Sequence, residues 1–234
     1  RARGGRNEAA VHLRHAPRSF IAGLTLAASL APGLPFTTPA VLAAARDLGP
    51  FRILAGPYSK KAVESGVGAT TSHFTLKRLT ISVEFLEPGA RASFVRKVAP
   101  AASDPFAVPP GRPEIYRAVR VAFDNQSGAD VTFQPGNVVL LTDRKTQEFA
   151  IDLTDLYRLA ARGDADPQGL IENVAPLIFD SSTAIPKGRT IERLLIFGPL
   201  HPKWKELRLH FSFLQIGSET HTVSFTFHRQ PLGG

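Results

Sequence analysis

A short acidic stretch has the residue spacing best suited to bind a cation. Asp164, Asp166 and Glu172 occupy the first, third and ninth positions of a segment that has a glycine at its sixth position. Closely spaced carboxylates of this kind offer Ca²⁺ several hard oxygen ligands. The twelfth position, where a bidentate Glu would complete the shell, is Ala175. The stretch is therefore a weak calcium candidate, an acidic loop that caps a helix is favoured, and no metal or other cofactor is predicted.

A single tryptophan with basic neighbours is the candidate for contact with a partner. Trp204 stands between Lys203 and Lys205, just after His201 and Pro202. An exposed aromatic side chain among cations on a loop is suited to contact another protein or a glycan. The favoured interpretation of the ring itself, however, is that Trp204 folds over the open end of the hydrophobic core. The two interpretations differ in the exposure of the indole ring.

Three histidines, at positions 210, 221 and 228, crowd the last predicted hairpin. In the register that the apolar residues favour, His210 lies opposite Ser224 and His228 lies opposite Glu206. At ~3.4 Å per residue the imidazoles of His210 and His228 are then roughly 13 Å apart, which is too far for a shared metal ion. The three histidines are predicted to face solvent.

Motifs for the common enzyme chemistries are missing from the sequence. It has no G-x-S-x-G, no H-E-x-x-H, no P-loop, no dinucleotide-binding glycine pattern and no cysteine. Carboxylates do gather in the connection formed by residues 152–185, and side chains from distant segments can meet in space. An enzyme, or an accessory domain of one, therefore remains the alternative to a binding module, with the candidates Asp152, Asp155, Asp164, Asp166 and Glu172.

The net charge of +8 does not indicate a nucleic-acid partner. Half of it comes from the first 45 residues, which hold five arginines and one glutamate. The other half is spread over the rest of the chain, so it forms no concentrated basic segment. No nucleic acid is predicted among the partners.

The N-terminal region has the features of an export signal. Arg14 and Arg18 precede the apolar run 20–31, and small residues at positions 43–45 stand before Arg46. This order predicts a signal peptide over residues 1–45, with cleavage after Ala45, and a periplasmic or extracellular protein without a membrane span after cleavage. An uncleaved anchor is the alternative, although Pro32, Pro35 and Pro39 would interrupt a membrane helix.

Beyond the signal, residues 46–75 are predicted to be a flexible segment, and residues 76–230 to form one antiparallel β-sandwich. Apolar residues alternate with polar ones in the strand predicted from Leu76 to Leu86 and again from Ile115 to Asp124. Shorter strands follow at the spacing typical of a sandwich, with proline- or glycine-containing turns between them. A short strand is also expected near residues 93–96.

The last two strands allow a prediction of register. If their loop centres on Gly217, Phe211 faces Val223, Leu209 faces Phe225, and Leu207 faces Phe227, so every apolar side chain of the pair lies on one face. One long connection interrupts the β pattern. Within it, residues 154–162 and 168–177 have helical composition, and the fold class is therefore all-β with a short helical insertion between strands.

The order of these signals resembles the secreted, telokin-like immunoglobulin-fold domains of unknown function found in bacterial exported proteins. The matching segments are 121–125 with Gly128, 131–133, 138–143, 186–197 and 207–211. Lys187 separates the proline and glycine that the family has side by side, and Arg193 takes a core-facing position, where a bulge or an edge strand is expected. The resemblance implies an immunoglobulin-like sandwich and supplies no catalytic residues.

The sequence thus predicts an exported binding or scaffold module whose partner is another envelope or extracellular protein, or a glycan. Its contacts are expected from loops at one end of the sandwich, and the candidate residues are Lys203, Trp204 and Lys205.

Overall fold

A computed structural model describes residues 51–57, 68–108, 114–161 and 166–232. Within these residues there are eleven β-strands and three α-helices. The strands are β1 Phe51–Ala55, β2 Thr71–Leu76, β3 Leu79–Leu86, β4 Arg117–Asn125, β5 Val131–Phe133, β6 Val138–Thr142, β7 Gln147–Phe149, β8 Thr183–Ile185, β9 Arg189–Phe197, β10 Glu206–Ile216 and β11 Glu219–Pro231. The helices are α1 Pro88–Val98, α2 Leu153–Ala160 and α3 Pro167–Val174. The predicted signal peptide lies outside the described residues.

The strands form two antiparallel sheets. Four of them pair in the order β2-β3-β4-β9, and the other seven form a sheet around the central strands β10 and β11. One edge of β10 is shared, because its first half pairs with β6 and its last residues pair with β5. The prediction of an all-β fold in antiparallel sheets is confirmed.

The two sheets face each other across a core rich in phenylalanine. Val119, Val121 and Phe123 of β4 are fully buried against residues of the other sheet. The ring of Phe123 packs on Phe133 with 4.8 Å between ring centroids, and Phe85 packs on Phe227 at the same distance. Offset and edge-on aromatic pairs of this kind add to the stabilisation from apolar burial. The alternation predicted for β3 and β4 therefore corresponds to one buried face on each strand.

The outer face of the four-stranded sheet is also covered, by the three helices and their connections. Leu194 and Ile196 of β9 are buried there, with Leu156 of α2 and Val174 of α3 in the same apolar cluster. Leu195 and Phe197 alternate with them and join the core between the sheets. Burial on both faces explains why β9 ends in a continuous apolar run rather than an alternating one.

Of the bulge or edge strand expected at Arg193, the structure has the edge strand, since β9 is the outermost strand of its sheet. Its pairing with β4 runs without a register shift from Arg189 to Phe197. The long connection covers the outer edge of β9. The backbone N–H groups of Ile151 and Phe179 donate to the carbonyls of Ile196 and Leu194, respectively. Covering of this kind protects an edge strand from pairing with another chain.

The helical insertion is confirmed, and its two helices begin where acidic residues cap them. Asp152 accepts a hydrogen bond from the N–H of Asp155 at the start of α2 (2.7 Å). Asp166 accepts from the N–H groups of Gln168 and Gly169 at the start of α3. Such side chains satisfy N–H groups that have no partner within the helix.

A third helix replaces the strand expected near residues 93–96, so that prediction is wrong. Pro88 stands in the first turn of α1, where its missing N–H costs nothing, and Arg91, Phe94 and Val95 share the buried face. The spacing of these three residues is helical. The apolar pair Phe94-Val95 is too short to distinguish a strand from a helix by periodicity.

The prediction that residues 46–75 are a flexible segment is wrong for both parts of it that the structure describes, because each contains a β-strand. Residues 51–55 form β1, which pairs along the outer edge of β11 from Phe51 opposite Pro231 to Ala55 opposite Phe227. Thr71 begins β2, which pairs with β3. The pairing partners of both strands lie in the predicted sandwich, and β1 pairs with a strand about 175 residues away.

The hairpin register predicted for the last two strands is confirmed. Phe211 lies opposite Val223, Leu209 opposite Phe225, and Leu207 opposite Phe227, and all six side chains are buried. Near the turn the register is shifted by one residue, since Leu214 lies opposite His221. Ser212 and Phe213 therefore form a β-bulge, where two residues of β10 stand opposite one residue of β11.

Candidate functional site

Trp204 is buried at one end of the seven-stranded sheet, with 2% of its surface exposed. Its ring packs edge-on against Phe51 of β1, with 5.7 Å between ring centroids, and it belongs to the core between the sheets. The favoured interpretation, in which Trp204 folds over the open end of the core, is therefore confirmed, and the exposed ring that a direct partner contact would need is not found. Lys203 and Lys205 on either side are exposed.

These residues line an open cavity of about 770 Å³. Trp204 and Pro231 are the apolar residues of its lining, although Trp204 is almost wholly buried beneath it, and four cationic side chains stand around it with two carboxylates. The charged residues are Asp143, Arg144, Lys203, Lys205, Glu206 and Arg229. The volume lies within the range of about 300–1,000 Å³ that small-molecule pockets commonly have. We call it the Trp204 cavity.

The loop that carries the two lysines is held in place by hydrogen bonds to the neighbouring turn of residues 143–146. The backbone N–H of Lys205 donates to Oδ1 of Asp143 (2.9 Å), and Nε of Arg144 donates to the carbonyl of Lys203 (2.9 Å). Both partners come from the turn between β6 and β7. The backbone is thereby fixed while the ammonium groups extend into solvent, an arrangement suited to a preorganised cationic rim.

Arg229 connects the rim to the aromatic residues below it. Its guanidinium lies 4.0 Å from the centre of the Phe51 ring and 5.8 Å from that of Trp204, and it donates to the carbonyl of Pro202 (2.9 Å). Burial lowers the pKa of Arg229, and the nearby positive charge of Arg117 lowers it further. The pKa of a guanidinium is so high that Arg229 stays charged at any physiological pH.

The three histidines do not come together, and one of them differs from expectation. His210 is partly exposed and hydrogen-bonds with the Ser224 hydroxyl opposite it (2.8 Å). His221 is half-buried beside Glu219. His228, predicted to face solvent, is buried, because β1 covers this edge of β11 and the Nδ1 of His228 lies 3.2 Å from the carbonyl oxygen of Gly56.

The acidic stretch is used for helix structure in its described part. Both carboxylate oxygens of Asp166 accept backbone N–H groups at the start of α3, as the favoured interpretation of the sequence expected. Glu172 accepts from the side-chain amide of Gln168, one turn earlier (2.9 Å). Asp164 lies outside the described residues. Among those that are described, no group of three or more His, Cys, Asp or Glu side chains is placed to hold a metal ion.

The other carboxylates of the long connection also have local partners. Asp152 caps α2, Asp155 lies 3.4 Å from Arg158 in the same helix, and Asp180 accepts from the N–H of Leu153. Each therefore stabilises a helix or the connection between helices. This is the use expected of acidic residues near helix N-termini.

A second surface feature was not predicted from the sequence. Phe213, on the bulge of β10, is 64% exposed, and it lines an open groove of about 370 Å³ with Thr132, Gln134, Asn137, Gln215 and Thr220. We call this the Phe213 groove. The sequence does contain a signal for the bulge. Apolar residues occupy odd positions up to Phe211 and even positions from Leu214 onward, and such a change indicates an inserted residue in the strand.

The backbone of Phe213 has a φ angle of +58°, in the left-handed region that bulky residues rarely adopt. This conformation costs about 1–3 kcal/mol for a residue other than glycine. Phe213→Gly is therefore expected to raise the free energy of unfolding by about 1 kcal/mol, measured by urea denaturation. Phe149→Gly, at another exposed phenylalanine in a strand, should lower it by a similar amount. If both substitutions lowered the free energy of unfolding by the same amount, the backbone of Phe213 would not be strained.

No family model matches the chain, and neither a curated protein nor a solved structure is found to be similar to it. Within the described residues, the helices are too short and too polar for any of them to cross a membrane.

Proposed function

We propose that the protein is an exported, immunoglobulin-like binding module that takes an acidic segment of another envelope or extracellular protein into the Trp204 cavity. The single observation that carries the proposal is the combination in one cavity of an exposed apolar residue, Pro231, with four surrounding cations that outnumber the two carboxylates. The N-terminal sequence supports export, and the antiparallel sheets support the fold.

The strand pairing supports the immunoglobulin-like assignment more closely than composition does. Immunoglobulin sandwiches pair strands A, B and E in one sheet and strands C, F and G in the other. The same pattern arises here if β3, β4 and β9 are strands A, B and E. Strands C, F and G would then be β6, β10 and β11. The correspondence agrees with the segments that resemble the telokin-like domains.

The chemistry of the cavity favours a peptide over an anionic glycan. Lys203 and Lys205 are exposed on a fixed loop and can pair with carboxylates, while the apolar surface beside them can accept an apolar side chain. An acidic protein segment carries both kinds of group, whereas an acidic polysaccharide has no apolar side chains. Charge pairs at such a rim contribute mainly to the association rate and lose strength in salt.

The carboxylates of residues 152–185 support the binding module over the enzyme alternative. Asp152, Asp166 and Asp180 accept backbone N–H groups, so their oxygens hold helix starts instead of converging on a substrate. A general acid or base must lie within hydrogen-bond reach of the reacting group, and these carboxylates are directed at the backbone of the helix starts.

The double substitution Lys203→Glu/Lys205→Glu tests the proposed function. Trp204 is the only tryptophan of the chain, so its fluorescence reports on this cavity. We expect a synthetic peptide of alternating Glu and Leu to change the emission, with an affinity that falls as salt is raised. The double variant should bind at least about tenfold more weakly, since reversing two rim charges converts attraction into repulsion.

Lys187→Glu/Lys145→Glu, which reverses the charge of two lysines that do not line the cavity, is the matched control and should bind like the unmodified protein. Equal binding by both double variants would contradict the proposal. Binding of polygalacturonate in place of the peptide would identify an anionic glycan as the partner and overturn the choice of a protein.

A further inference from the structure

The Phe213 groove differs in chemistry from the Trp204 cavity. None of its six lining residues is charged, and five of them carry a hydroxyl or a carboxamide. It also lies at the opposite end of β10, since Glu206 and Gln215 are roughly 30 Å apart along the strand. The two surfaces can therefore bind different ligands independently.

The floor of the groove is built on paired strands. Gln215 of β10 lies opposite Thr132 of β5 on one side and opposite Thr220 of β11 on the other. Their neighbours Val131 and Ile216 are buried, so the alternation of a strand places Thr132 and Gln215 on the outer face of the sheet. Polar groups on a sheet hold their positions more rigidly than groups on a loop.

The carboxamides are oriented by hydrogen bonds of their own. Nδ2 of Asn137 donates to Oε1 of Gln134 (2.7 Å), and Nε2 of Gln215 donates to the carbonyl of Gly217 (3.0 Å). Each bond uses one end of a carboxamide, which leaves the carbonyl oxygens of Asn137 and Gln215 as acceptors and the amide N–H groups of Gln134 as donors. Together with the two threonine hydroxyls, they form a neutral set of donors and acceptors.

Phe213 supplies an aromatic face beside this polar set. The bulge turns its side chain out of the core, where the alternation of Leu207, Leu209 and Phe211 would have placed it, and leaves the ring 64% exposed. A strained backbone that exposes a large apolar side chain is unfavourable for folding. Such outliers are concentrated at binding and active sites, where their cost is offset by function.

From these observations we propose that the Phe213 groove binds a neutral oligosaccharide. A sugar ring has an apolar face of C–H groups, which stacks on an aromatic ring, and a rim of hydroxyls, each of which donates and accepts hydrogen bonds. The groove presents the complement of both. A nucleic acid would also stack on Phe213, but its phosphates require cations, and the six lining residues include none.

The proposal is tested by calorimetric titration of the full chain with cellotetraose, maltotetraose and N-acetylated chitotetraose. We expect at least one of them to bind, with an affinity insensitive to salt because no charges are involved. Phe213→Gly keeps the left-handed backbone while it removes the ring, so it should weaken binding about tenfold or more. Gln215→Ala should also weaken it, whereas Phe213→Trp should retain it.

Phe149→Gly, which removes an exposed ring outside the groove, is the matched control and should bind like the unmodified protein. Lys203→Glu/Lys205→Glu should also leave sugar binding unchanged, so failure here and failure at the Trp204 cavity are distinguishable. No heat of binding with any of the three sugars at about 10 mM, or an equal affinity of Phe213→Gly and unmodified protein, would overturn the proposal.

Discussion

Arg91→Ala is expected to lower the free energy of unfolding by about 3–5 kcal/mol, because it leaves the buried Asp104 without its cation and Glu114 with Arg117 as its remaining partner. Arg91 is 1% exposed, and its guanidinium donates to Asp104 (2.7 Å) and Glu114 (2.5 Å) and to the carbonyl of Phe106. These bonds tie α1 to the segment that leads into β4.

The pKa of Arg91 follows from the same contacts. Burial by itself lowers the pKa of Arg91, but the hydrogen bonds and negative charges of Asp104 and Glu114 outweigh it and raise the pKa overall. The cation is therefore stabilised by its partners more than it is destabilised by its surroundings. Without Arg91, the carboxylate of Asp104 would lie in the interior with neither a cation nor enough water to stabilise its charge, since only 7% of its side chain is exposed.

Urea denaturation measures the effect, with Arg158→Ala as the matched control. Arg158 also pairs with an aspartate, but its side chain is 66% exposed, and its loss should cost less than about 0.5 kcal/mol. Arg91→Met combined with Asp104→Asn removes one buried charge pair, leaves Glu114 paired with Arg117, and should recover part of the loss. Similar small losses for Arg91→Ala and Arg158→Ala would show that the buried pairs do not contribute as described.

Trp204→Ala is expected to cost about 3–5 kcal/mol of stability, since it removes a large buried aromatic side chain and leaves a cavity. The ring contacts Phe51, and the guanidinium of Arg229 lies over both aromatic residues. Its loss should therefore also loosen β1, which pairs with β11 beside this cluster.

Thermal denaturation and amide hydrogen exchange measure the two effects separately. The amides of residues 51–55 should lose protection in Trp204→Ala, whereas Trp204→Phe, which keeps an aromatic ring, should lose much less stability. A melting temperature unchanged by Trp204→Ala would contradict the burial of the ring. The expected instability is also the reason that Lys203 and Lys205, rather than Trp204, are substituted in the test of binding.

The last two strands show how far the sequence alone could lead. Apolar residues at Leu207, Leu209 and Phe211 specify one buried face, and that face determines the register, because a slip of one residue would expose all of them. The predicted register assumed a symmetric loop centred on Gly217. In the structure, a tighter turn shifts the pairing by one residue and the bulge at Phe213 shifts it back, so the predicted pairs are reached by a different path.

The helices and caps were predictable for a similar local reason. Asp152 and Asp166 precede helical composition by the spacing that an N-cap requires, and they cap α2 and α3. The helix α1 was missed, because its buried face is completed by a charged residue. Arg91 counts as a surface residue in any sequence pattern, and only Asp104 and Glu114, brought close by the fold, allow it to be buried.

By itself, then, the sequence determined the all-β class, the inward faces of β3, β4, β10 and β11, and the capped helices. These depend on periodicity and on hydrogen bonds between residues close together in the chain. The tertiary structure alone decided that residues 51–55 extend the seven-stranded sheet, that Trp204 and His228 are buried under them, and that Phe213 faces solvent. The first two depend on which distant segment covers a given surface, and neither composition nor spacing carries that information. The third depends on the bulge of β10, which the apolar spacing indicates without showing which of its residues is turned outward.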